Sequence, residues 1–202
     1  MAINFSTGEQ VRPAGFKKLT QFNLDTGSLT SATITSIPND ACVIKLFIQR
    51  HSLEASTAHQ MRLRFGAGSL DTGGNYSWGT VRTNSSTNSN HDVAMNAGDG
   101  NSGNSNYMSI LDSASTGTSH KVSGVITIER ATDSGGQDEG GWFTRAHFHD
   151  LRSGSQAEKR TYIHVGRWRN TGNINQIQIF NGGNQYDEST RVVVTYATGD
   201  YT

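Results

Sequence analysis

The stretch Ala41-Cys42-Val43-Ile44-Lys45-Leu46-Phe47-Ile48-Gln49-Arg50 decides the fold. Ile44, Leu46 and Ile48 fall on one side of an extended chain and Lys45 and Gln49 on the other, the period-two pattern of a strand with one buried face. The turn tripeptide Pro38-Asn39-Asp40 precedes it and separates it from a second candidate strand, Leu29 to Ile37.

The same pattern recurs along the chain. In His59 to Phe65, Met61, Leu63 and Phe65 point one way and Arg62 and Arg64 the other, which predicts a half-buried strand with a charged outer face. Val122 to Arg130, Trp142 to His149, Lys159 to Arg169, Asn173 to Asn181 and Arg191 to Ala197 carry strong strand signals. Tyr76 to Arg82, Val93 to Met95 and Asn106 to Leu111 carry weaker ones. Gly, Asn, Ser and Asp separate these runs, no helical pattern alternates with them, and no internal repeat is visible. The expected fold is therefore all-β: an antiparallel two-layer sandwich of jelly-roll type, with a barrel as the competitor.

Composition agrees. Only 33% of the 202 residues are hydrophobic and 23 are glycine, so a small core is expected beneath many turns and polar loops. Residues 1–27 show apolar groups without periodicity and read as an extended N-terminal arm, leaving 28–202 as a single sandwich domain. Residues 83–106, TNSSTNSNHDVAMNAGDGNSGNSN, cannot bury much apolar surface and read as long loops at one end of the sandwich.

The 17 basic and 17 acidic residues balance to zero, which removes the long-range field of a nucleic-acid or membrane-surface binder. No run of 18 apolar residues is present and the N-terminal stretch lacks a signal-peptide pattern, so neither nucleic acid nor membrane is an expected partner, and synthesis in a cytoplasm is expected. A lone cysteine, Cys42, cannot form an internal disulfide and sits in an apolar run, where a thiol acts as a small core filler.

Three places invite a chemical reading. In Gly141 to His149, His147 and His149 fall on one strand face, the opening of a cupin-like metal motif. The Glu such a motif needs is missing from Asp150-Leu151-Arg152-Ser153, and the third histidine has no counterpart near His164. Tyr76, Trp78 and Trp168 are candidates for a sugar-stacking platform, with core packing as the alternative. Asp133, Asp138, Glu139, Asp187 and Glu188 lie in polar loops without an assignable partner for acid–base work. No nucleophile elbow or phosphate-binding loop is present. No catalytic, cofactor-binding or metal-binding residue is therefore assigned, no cofactor is expected, and the chain is expected not to be an enzyme.

The stretch Asn173 to Tyr196, NINQIQIFNGGNQYDESTRVVVTY, resembles the closing hairpin of β-sandwich modules in the virions of tailed bacteriophages, including tail-fibre and capsid decoration proteins. Ile37-Pro38-Asn39-Asp40-Ala41 resembles the entry to the first long strand of those modules, and Val122 to Ile128 resembles their mid-domain strand. That resemblance implies a non-enzymatic structural protein, made in a host cytoplasm and located in the virion, whose partners are other virion proteins and copies of itself. The chain is short and lacks the repeat-rich shaft of a fibre, which points to capsid decoration (cement) or a small tail or neck component, with the arm as a strap on a neighbouring subunit. A carbohydrate- or receptor-binding module of a tail fibre or spike, with a glycan as partner, is the second reading. A cupin-like metal enzyme resting on His147, His149 and His164 is the third.

Overall fold

The computed structural model describes residues 15–24, 29–51, 60–85, 91–99, 105–112, 120–131, 141–152, 159–182, 186 and 190–198. Every regular element among them is a strand: β1 (Lys17–Asn23), β2 (Ser31–Ile34), β3 (Ala41–His51), β4 (Gln60–Gly66), β5 (Tyr76–Ser85), β6 (His91–Asp99), β7 (Met108–Asp112), β8 (His120–Ala131), β9 (Gly141–Arg152), β10 (Lys159–Trp168), β11 (Gln176–Phe180) and β12 (Arg191–Thr198).

All pairings are antiparallel, in an eight-stranded sheet of order β1-β12-β3-β8-β9-β10-β5-β6 and a four-stranded sheet of order β2-β11-β4-β7. The chain first pairs with itself as a long ribbon, β1 with β12, β2 with β11, β3 with β8 and β4 with β7. That ribbon is then rolled so that alternate rungs fall in opposite layers, β1-β12-β3-β8 over β2-β11-β4-β7, which is the jelly-roll wrap. The pairs β5–β6 and β9–β10 are insertions between the rungs, and β10 pairs with β5, so together they widen one layer to eight strands.

Burial follows the sequence pattern. Ile44, Leu46 and Ile48 of β3, Met61, Leu63 and Phe65 of β4, and Ile177 and Ile179 of β11 are all buried, and they meet Ile126, Ile128, Val192 and Val194 between the layers. Each such side chain contributes roughly 1.5–3 kcal/mol on leaving water. Phe65, Tyr76 and Trp168 pack ring against ring at one end, with Tyr76 and Trp168 stacked at 6.5 Å and 16°. Cys42 is buried and its thiol donates to the carbonyl of Ala197, as a core filler should.

Three readings are revised. Of the segment taken as an arm, Lys17–Asn23 is strand β1 on the edge of the large sheet; a bulge between Lys18 and Thr20 breaks its alternation and leaves Leu19 and Phe22 against the core. Residues 1–14 and 25–28 lie outside the described residues. The polar stretch 83–106 is not loop throughout, because β5 runs to Ser85 and β6 occupies His91–Asp99. Backbone pairing to β10 and β6 extends β5, and β6 lies at the sheet edge, where backbone bonds to a single neighbour hold a strand without a need for many apolar side chains. Finally, β11 and β12 do not form a hairpin: they belong to opposite layers, and buried Tyr186 anchors the crossing between them.

Candidate contact surface on the large sheet

Strand β10 has large apolar groups at both parities. Tyr162, His164 and Trp168 point inward and are buried, while Ile163 and Val165 point outward and are 50% and 57% exposed. A half-buried strand normally turns polar residues to water, and apolar residues on both faces are the mark of a strand meant to be covered on both. The inner face is covered by the small sheet, and among the described residues nothing covers the outer one.

Registry gathers further apolar groups around this pair. Across the outer face one row reads Glu129, Phe143, Arg167, Ser77; the next reads Thr127, Arg145, Val165, Gly79, Ala97; the third reads Phe47, Val125, His147, Ile163, Val81. Phe143 is 42% exposed and Phe47 37%. Gly79 and Ala97 have almost no side chain, so a cleft of about 370 Å³ opens over them against Phe143, Val165 and Arg167. A second cleft of about 380 Å³ lies on the other side of the same phenyl ring, walled by Glu129, Arg130 and Arg145. Phe143 is thus a ridge between two hollows, with the Arg167 guanidinium 5.7 Å from its ring centre. Arg145 and Glu129 form a surface ion pair beside it, which orients the arginine more than it stabilises the fold.

Exposed aromatic and branched apolar groups beside arginines, arranged around concave ground, are the composition of a protein–protein contact centre.

The candidates drawn from the sequence separate. His147 and His149 do share the outer face, with ring centres 4.4 Å apart, and Thr161 Oγ1 lies 3.5 Å from His149 Nδ1. His164 is on the opposite face of the sheet, buried, with Nδ1 3.3 Å from Thr80 Oγ1. Desolvation pushes its pKa down to about 3, against a backbone hydrogen bond at Ser109 that raises it, so the ring is neutral. The three histidines cannot share one ion, and among the described residues no three His, Cys, Asp or Glu side chains converge as metal ligands. The sugar platform is also not formed. Tyr76 and Trp168 are fully buried, and half-buried Trp78 donates its indole N–H to Ser105 Oγ on the inner side. Asp133, Asp138, Glu139, Asp187 and Glu188 lie outside the described residues.

Sequence reading missed Phe143, Ile163 and Val165 as a group. The signal of Ile163 and Val165 was present in Lys159 to Trp168, KRTYIHVGRW, where alternation fails because both parities are apolar.

No family model and no curated protein matches the chain. Among solved structures it is similar to the CBM2 module of the evolved Dit of Lactobacillus casei BL23 phage J-1, with 11% identity, 85% of this chain and 70% of that one covered, and a TM-score of 0.26. A score that low carries no argument about the site. What the geometry defines is a jelly-roll sandwich with a widened sheet and an uncovered apolar face.

Proposed function

We propose that this is a non-enzymatic structural protein of a tailed-phage virion, a capsid cement protein or a small tail or neck component, that works by protein–protein contact through the outer face of its large sheet. The observation that carries the reading is β10, apolar on both faces with Ile163 and Val165 turned to solvent. Apolar groups on one face of a sheet drive association when a partner removes them from water, and the Phe143 ridge supplies the ring-and-arginine anchor that concentrates binding energy. The virion setting is supported by the strand motifs at Ile37 to Ala41 and Val122 to Ile128, which are similar to those of phage sandwich modules.

Co-sedimentation with particles assembled without this protein tests the reading. Wild type is expected to pellet with capsids or with tails, and Phe143→Glu to lose at least about 30-fold in affinity, as a contact-centre residue does. Failure of wild type to bind either particle removes the virion reading. Equal binding by Phe143→Glu removes this face.

A further inference from the structure

Among the described residues the two sheets leave four outer edges, at β1, β6, β2 and β7. An unpaired edge is a template for another strand, and folded proteins guard such edges with lysines, bulges or shortness. β1 opens on Lys17 and Lys18 and carries a bulge directly after them. β2 has only four residues, and β7 has five with an irregular register against β4. β6 has none of these guards. It is nine residues long, contains no Lys, Arg or Pro, and follows β5 without a register shift from Ser77↔Asp99 to Ser85↔His91.

Its sequence is also matched to its own reverse. When His91-Asp92-Val93-Ala94-Met95-Asn96-Ala97-Gly98-Asp99 is laid antiparallel on a second copy about Met95, His91 stands opposite Asp99, Asp92 opposite Gly98, Val93 opposite Ala97 and Ala94 opposite Asn96. No like charges oppose one another: Asp99 faces His91 and Asp92 faces Gly98. Like charges directly opposed would be destabilising, and opposite ones contribute.

We propose that β6 pairs antiparallel with β6 of a second copy about a two-fold axis at Met95, joining two large sheets into one continuous sheet. Such an interface is isologous and closed, so it yields a dimer and not a fibre. Register places Met95 beside Val81, at the end of the row Phe47, Val125, His147, Ile163, Val81. The apolar bands of the two copies therefore meet at the axis and form one contact face twice as wide. The inference deepens the function proposed above by naming its homo-oligomer interface, and it rests on that reading only for what the widened face contacts. Dimerisation is measured in pure protein with no particle present, so either can fail alone.

Antiparallel pairs bring opposed Cα atoms to about 4.5–5.5 Å, inside the range a disulfide spans. Met95→Cys is therefore expected to cross-link to a dimer on mild oxidation. Val93→Cys is expected to remain un-cross-linked, since its equivalent in the second copy lies four residues along the strand, about 14 Å away. Absence of cross-linking in Met95→Cys, or equal cross-linking of both variants, overturns the proposal. Should the cysteine variants fold poorly, Met95→Lys and Met95→Glu are each expected to sediment as monomers and, when mixed, as a dimer; two monomers after mixing overturn it as well.

Discussion

The indole N–H of Trp168, at the end of β10, donates to Asp71 Oδ2 at 2.7 Å, tying the widened sheet to the loop between β4 and β5. The same carboxylate accepts from the Asn75 side-chain amide and the Gly73 backbone N–H, both at 2.8 Å. Replacing Asp71 by Ala strands the buried indole donor and is expected to cost about 1–3 kcal/mol, read as a shift in the denaturant midpoint at unchanged slope. Burial alone raises the carboxyl's pKa, but the hydrogen bonds from Trp168, Asn75 and Gly73 together outweigh it and hold the group below its ordinary value. The stability it gives is therefore full above the unfolded-state value near 3.8 and is lost as pH falls through the lower folded value. An unchanged midpoint in Asp71→Ala contradicts this role.

His164 acts in a different pH window. Its folded pKa of about 3 lies below the ordinary 6.5, so between these values the unfolded chain holds a proton that the folded chain refuses. Stability from this group is complete above about pH 6.5 and falls as pH drops towards 3, by at most about 1.4 kcal/mol per pH unit for one proton. Melting temperatures measured from pH 7 to pH 4.5 are expected to fall more steeply for wild type than for His164→Gln. Parallel curves contradict the assignment.

Two glycines on the inner side of the sheet are expected to respond differently to an added methyl. A Cβ at Gly124 collides with the His147 carbonyl oxygen and comes within 2.8 Å of the Phe148 Cα, both fixed backbone atoms. A Cβ at Gly166 meets the Met108 Sδ at 2.5 Å and His164 Nε2 at 2.8 Å, of which the first is the movable end of a flexible side chain. Gly124→Ala is expected to destabilise by about 1–3 kcal/mol and Gly166→Ala by less. Chemical denaturation of the two variants checks the order, and a reversed order contradicts the packing described.

The layered fold was legible because its core is written in period two. Ile44, Leu46 and Ile48, or Met61, Leu63 and Phe65, had to turn one way, and all are buried. Two edge strands of the large sheet were harder to read: β1 because its bulge shifts Leu19 and Phe22 out of alternation, and β6 because it shows only the short apolar signal Val93 to Met95 and its full length is held by backbone bonds. The jelly-roll was legible as a class, whereas the pairing of β10 with β5, which sets Phe143 and Val165 around a common hollow, depends on contacts more than 60 residues apart in sequence. Histidine spacing located His147 and His149 correctly on one face but could not show that His164 faces the other way, since parity within a strand says nothing about which layer lies beneath it. Aromatic content likewise could not tell a platform from a plug, and Tyr76 and Trp168 are the plug.

The uncovered outer face is tested most directly by thiol labelling of Val165→Cys, whose background is low because Cys42 is buried. In free protein the introduced thiol, at the place of a side chain 57% exposed, is expected to react fully with a maleimide. In assembled particles it is expected to be shielded at least tenfold in rate, an expectation of about 1.4 kcal/mol of protection. Equal labelling rates in free protein and in particles would contradict a contact role for this face.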